Sequence, residues 1–278
     1  MHSEIRETAQ WGKVLFIGNG RVEVGAALDF GIRVVHLSCV GMENLFYRQP
    51  NDLSDNFAKN NGWRLYGGHR LWMAPESADS YYPDNAPVRY TLEQSGVLLE
   101  QNPDPQLHLK KSLRITLPDD GSVAVENRLQ NIGDEPITGA SWGVNTLDGG
   151  GTAVISFGCG VRGGYNPKRV VSLWSDTNLH DPRLAFTKDS LTAKHIAMPG
   201  YLKIGLYANP GRAVFQNKGQ QLTIGFDAQP LEQYMDNGCN FALYMCKQFM
   251  ELETLGTRTQ MLPGELACHT EVWQLAQL

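Results

Sequence analysis

The sequence predicts a large all-β sandwich, and three observations carry that prediction. Short stretches of alternating apolar and polar residues, rich in β-branched side chains, recur along the whole chain. Turn-forming residues separate them, supplied by 29 glycines and 14 prolines. No stretch of 12 or more residues keeps a 3.6-residue apolar period, so helices take little share.

In chain order, residues 21–25 and 31–39 alternate first, after the turn pair Asn19-Gly20. Residues 54–61 are a candidate short helix. Residues 97–100 form the next strand. Residues 107–117 and 122–129 flank Pro118-Asp119-Asp120-Gly121 and predict a hairpin. Further strands are expected over 153–157, 170–174, 201–206, 212–216, 221–226, 241–245, 249–255 and 269–278. The chain shows no internal repeat, low-complexity tract or linker, which predicts a single domain over residues 1–278.

Composition narrows the function classes. Hydrophobic residues at 42% and charged residues at 19% are globular values that argue against disorder. Lysine plus arginine number 24 against 29 acidic residues, a net charge of −5, and the longest basic cluster is Lys110-Lys111. That balance predicts no nucleic-acid partner. No run of 18 apolar residues exists, so no membrane span is expected, and residues 1–10 lack an apolar signal core. The five cysteines contain no Cys-x-x-Cys pair, which fits reduced thiols in the cytoplasm. The expected partner is a small-molecule sugar or sugar derivative, with no cofactor and no metal; oligomeric state is not legible.

That expectation comes from residues 62–84. Within them fall Trp63, Tyr66, Trp72, Tyr81 and Tyr82, together with Arg64, His69, Arg70 and Glu76. Aromatic faces stack on the C–H faces of sugars, while carboxylates and guanidinium groups pair with hydroxyls. A core strand with stray charges is the plainer alternative.

The C-terminal residues carry a family resemblance. They run Leu252-Glu253-Thr254, then Pro263-Gly264-Glu265, then His269-Thr270 and Trp273. With residues 63–76, this pattern resembles the galactose mutarotase-like (aldose 1-epimerase) superfamily. Residues 31–38, 43–46, 123–129 and 131–136, with Trp142, resemble its opening hairpin and central edge. The resemblance implies a large antiparallel supersandwich with a sugar cleft on one concave face. It also implies interconversion of sugar anomers, in which a base takes the anomeric hydroxyl proton and an acid protonates the ring oxygen.

By the resemblance Glu253 is the base. Strand alternation puts Glu251 on the same face as Glu253. The family's acid is a His-Pro-Tyr histidine, but the matching residues 140–146 contain none, only Trp142 and Asn145 near that place. His69, after Gly67-Gly68, is the candidate replacement acid, since its reference pKa of roughly 6.5 suits the task. Either Tyr66 or His69 takes the sugar-contacting position that a family histidine holds. Arg64, Tyr66, Arg70, Trp72, Glu76, Trp142, Asn145 and Glu251 are the candidate substrate-binding residues. Two other functions fit the same residues: a non-catalytic carbohydrate-binding protein, and a glycoside hydrolase using Glu76 with Glu253 as its carboxylate pair.

Overall fold

Alternation becomes packing most plainly along Val123–Asn131. Val123, Val125, Asn127, Leu129 and Asn131 are buried, and the residues between them are half-buried. One face of such a strand must rest on a second layer. The computed structural model describes residues 1–50, 62–158 and 169–278, and shows that layer to be another sheet.

Among the described residues, eleven strands form the first sheet. It runs β1 (His2–Thr8), β2 (Gly12–Gly18), β3 (Val22–Ala27), β4 (Arg33–Cys39), β5 (Gly68–Ala74), β10 (Ile137–Asp148), β19 (Phe249–Leu255), β18 (Phe241–Met245), β15 (Leu202–Leu206) and β12 (Val171–Leu173). The short β20 (Thr259–Met261) pairs with the start of β10. Ten strands form the second sheet, in the order β13 (Leu184–Phe186), β14 (Ser190–Lys194), β11 (Thr152–Ser156), β16 (Arg212–Asn217), β17 (Gln220–Phe226), β21 (Leu266–Gln277), β9 (Val123–Asn131), β8 (Leu109–Thr116), β7 (Gly96–Glu100) and β6 (Arg89–Glu93). The strand pairs are antiparallel throughout, as in β10 with β19 and β8 with β9. The fold is therefore the all-β, two-sheet antiparallel sandwich expected from the sequence. The candidate helix over 54–61 lies outside the described residues.

The hydrophobic core fills the space between the sheets. Leu71, Leu147, Leu243 and Leu252 project from the first sheet toward Leu113, Ile115, Val125, Leu129 and Trp273 of the second. Several strands are longer or more numerous than alternation suggests. β10 is buried from Gly139's neighbour Ala140 through Leu147, on both faces, so it carries no period of two. β5 is buried at six of its seven positions for the same reason.

The entry to β5 needs glycine. Gly67 and Gly68 both have positive φ, at 102° and 74°. A Cβ on Gly67 would lie 2.0 Å from the Tyr47 carbonyl oxygen, and one on Gly68 would lie 2.2 Å from that of Val34. The pair lets β5 slide in beside β4 with no side chain in the way.

Candidate functional site

The outer face of the first sheet, away from the core, holds a cavity of about 390 Å³. Period-two geometry selects what faces it. On β5, Arg70 and Trp72 point into it; on β19, Glu251 and Glu253 do so; Tyr244 comes from β18 and Lys203 from β15. Trp63, Tyr81, Trp174, Tyr201 and Phe249 complete an aromatic wall, and Glu76 and Asp176 add carboxylates. The neighbouring strands β5, β10 and β19 thus bring together residues from three distant parts of the chain. A smaller hollow of about 120 Å³ adjoins it, lined by Trp142, Asp236 and again Glu76, Lys203 and Glu253. A larger hollow of about 820 Å³ lies elsewhere, among turns around Asn19–Arg21 and Leu117–Gly121, and no Trp, Tyr or Phe lines it.

Glu253 is 1% exposed. Burial, reinforced by the nearby Glu251 and Glu76, outweighs the pull of Lys203 and pushes its carboxyl up to about 7. Its Oε2 has no hydrogen-bond donor among the described residues. The Lys203 Nζ lies 3.4 Å from that oxygen, within ion-pair range but outside hydrogen-bond geometry.

Lys203 is itself unusual: a lysine set between Leu202 and Ile204 on a strand. Its ammonium donates to Glu76 Oε2 at 2.9 Å and sits 4.7 Å from the Trp142 ring centre and 5.1 Å from that of Trp174. Burial works to lower its pKa, but Glu253 and Glu76 outweigh that and hold it above the ordinary lysine value. The same partnership keeps Glu76 ionised. Burial opposes it, yet Lys203 and the Tyr81 hydroxyl carry its pKa below the usual carboxylate value. Tyr81 donates to Glu76 Oε1 at 2.5 Å. It is delivered by a short 3-10 turn, Ala78–Tyr81, capped by Ser77, whose hydroxyl accepts from the Asp79 amide.

Arg70 is held from both sides. Its Nη1 donates to Thr146 Oγ1 and to Glu251 Oε1, each at 2.9 Å, and Thr146 donates to the same Glu251 oxygen at 2.8 Å. The guanidinium carbon lies 4.2 Å from the Trp72 ring centre. Trp72 in turn meets Trp142 and Tyr81 edge-on at 5.3 Å and 5.2 Å.

Of the residues expected at the site, Glu253, Glu251, Arg70, Trp72 and Glu76 line the main cavity and Trp142 lines the adjoining hollow. Four others are not brought there. His69 lies between Gly68 and Arg70 on β5, so alternation turns it to the opposite face. It is fully buried between the sheets, with Nδ1 2.9 Å from Asn145 Oδ1 and Nε2 2.9 Å from Asn127 Oδ1. The expectation of His69 as an acid beside Glu253 is corrected by that placement. Asn145 shares the inward face, and its Nδ2 donates to the Glu271 carboxylate and the Leu252 carbonyl. Tyr66 precedes β5 with φ of 54°, stacks on Phe30 at 4.1 Å and donates to Asn85. Arg64 is exposed beside it.

Lys203, Tyr244, Trp174, Tyr201, Phe249 and Asp176 were not expected at the site. Lys203 alone left a signal in the sequence, a single charge inside the apolar run 202–206. Among the described residues, no group of three or more His, Cys, Asp or Glu side chains is arranged to hold a metal ion. Nor is any helix there long and apolar enough to cross a membrane.

No protein-family model and no curated protein matches the sequence. Solved structures do match. A proposed mutarotase (YeaD) from Salmonella typhimurium superposes with a TM-score of 0.63 at 12% identity, covering 99% of this chain and 94% of its own. A proposed aldose 1-epimerase from Escherichia coli K12 gives 0.63 at 10%, covering 95% and 99%. A galactose mutarotase-like protein from Lactobacillus casei gives 0.60 at 11%, covering 95% and 100%. The fold is thus shared over nearly whole chains, and the chain has the galactose mutarotase-like fold.

Proposed function

We propose that the cavity on the first sheet binds a free sugar or sugar derivative and that the protein interconverts its anomers, with Glu253 as the base. The observation that carries this reading is the Glu253 carboxyl itself. It is buried, its pKa is raised to about 7, and one oxygen lacks a hydrogen-bond donor where it meets an aromatic-walled cavity. A carboxylate of that pKa is matched to taking a proton near neutral pH. The neighbours described as mutarotases and aldose 1-epimerases share the fold and so support the substrate class. The free thiols of Cys39, Cys239, Cys246 and Cys268 agree with a cytoplasmic setting.

The test is polarimetry on freshly dissolved α-D-glucose and α-D-galactose. The protein should speed the approach to anomeric equilibrium, and Glu253→Gln should lower that acceleration by about a hundredfold or more. No acceleration of either sugar defeats the catalytic reading.

A second reading is a non-catalytic sugar-binding protein. It is favoured by the withdrawal of His69, since no histidine lines the cavity among the described residues. Sugar binding by calorimetry without acceleration would support it. Release of reducing ends from oligosaccharides would instead support hydrolysis by the Glu76–Glu253 pair.

A further inference from the structure

Anomer interconversion needs a proton donor as well as a base, and His69 is behind the sheet. Four lining side chains hold protons close to the carboxylates, and burial with Glu251 and Glu253 nearby raises the pKa of one of them, the Tyr244 hydroxyl, beyond useful range. The Tyr81 hydroxyl is committed to Glu76, and burial beside that carboxylate raises its pKa beyond useful range. The Arg70 guanidinium is bonded to Thr146 and Glu251, and guanidinium groups do not give up a proton in proteins. Lys203 is the fourth. Its ammonium has three N–H groups, of which one is donated to Glu76 while another side of the nitrogen approaches the Glu253 oxygen at 3.4 Å. The flanking Trp142 and Trp174 rings fix the head group at that spot.

We infer that Lys203 is the catalytic residue that protonates the sugar ring oxygen, working as the acid to Glu253 as base. This rests on the anomer-interconverting reading above. In the opening step the Glu253 carboxylate takes the proton of the anomeric hydroxyl. The electron pair so released forms the C1=O1 bond. The C1–O5 bond breaks with its pair going to O5, and an Nζ–H proton of Lys203 passes to O5. The products are an open-chain aldehyde, a protonated Glu253 and a neutral Lys203 amine. After rotation about C1–C2, O5 attacks the other face of C1. Lys203 recovers the O5 proton, and Glu253 returns its proton to O1. No atom is gained or lost and no co-reactant is needed. An alkoxide is far more basic than an amine, so the transfer to O5 is downhill once the ring bond gives way. Two carboxylates around the ammonium keep it charged at the start of each cycle.

The experiment uses Lys203→Arg and Lys203→Ala in the full chain, with α-D-glucose and α-D-galactose as probes. Arginine keeps a positive charge between Glu76 and Glu253 but has no proton to give. Lys203→Arg should lose about a hundredfold or more in kcat with KM within about threefold. Lys203→Ala should recover activity in proportion to added ethylammonium, a readout that a purely structural lysine would not give. A Lys203→Arg enzyme within about threefold of the wild-type kcat would overturn the assignment. So would a Lys203→Ala protein that folds, binds the probe and is not rescued by the amine. A wild-type protein that accelerates neither sugar removes the functional reading and this inference together, and that result is seen before any variant is made.

Discussion

Glu253 is a carboxyl that the fold prefers protonated, and the consequence can be measured. Its folded pKa of about 7 lies above the ordinary value of 4.5. The stability it contributes is therefore complete below about pH 4.5 and is lost as pH rises through about 7. The cost at pH 8 is of order 3 kcal/mol, at roughly 1.4 kcal/mol for each unit. Glu253→Gln should gain stability relative to the wild type between pH 5 and pH 8, read as a rising gap in urea midpoints. A gap that stays constant over that range would show an ordinary carboxyl. Activity should move the opposite way, rising with pH around 7 as the base ionises, because the working form of Glu253 is the one the fold resists. At this scale the sequence was informative about Glu251 and Glu253, since a single strand with period two fixes their common face. It misdirected for His69, which adjoins Arg70 in the chain. Neighbours on a strand must diverge, so one of them had to leave the cavity once residues 68–74 became β5. Lys203 was harder, because its partners lie in strands remote in sequence.

The elements divide by how they are buried. The hairpin of β8 and β9 pairs Leu113 with Asn127 around a turn closed by Gly121 donating to the Pro118 carbonyl, and the sequence announced both strands and the turn. β9 has one face on the core, so its alternation is visible. β10 and β5 are covered on both faces, the core on one side and the aromatic cavity on the other, so their residues carry no alternation to read. The strands that build the site are thus the ones whose pattern is erased by building it. The turn that admits β5 makes its own prediction. Gly67→Ala must displace the Tyr47 carbonyl, 2.0 Å from the new methyl, whereas Gly20→Ala meets nothing within 4 Å at a similar positive φ of 84°. Gly20→Ala should cost about 1 kcal/mol for the left-handed backbone. Gly67→Ala should cost at least about twice that in urea unfolding, and equal losses would mean that the close approach relaxes freely.

Across the whole molecule, charge narrows the ligand. The cavity is lined by Glu76, Asp176, Glu251 and Glu253 against Arg70 and Lys203. Both cations already face carboxylates within 3.0 Å, at 2.9 Å in each case. The chain as a whole carries −5. Among the described residues a phosphate would meet no unpaired lining cation and would have acidic groups around it. Glucose should therefore bind at least about tenfold more tightly than glucose 6-phosphate in calorimetry at pH 7.5, by an electrostatic penalty of about 1.4 kcal/mol. Equal affinities would show that Arg70 or Lys203 can exchange its partner. The two-sheet architecture was legible from strand number and the lack of helical periods. The crossings that put β10 between β5 and β19 were not, because antiparallel neighbours far apart in sequence share no local signal.

The position of β21 has a bearing on biosynthesis. It lies between β17 and β9 in the middle of the second sheet, and it carries Trp273 and Glu271 inward. A nascent polypeptide emerging from the ribosome would hold β9 and β17 for some time with their facing edges bare, waiting for the plank that joins them. That layer closes only once β21 has been made, and during the wait those two strands are natural clients for a chaperone.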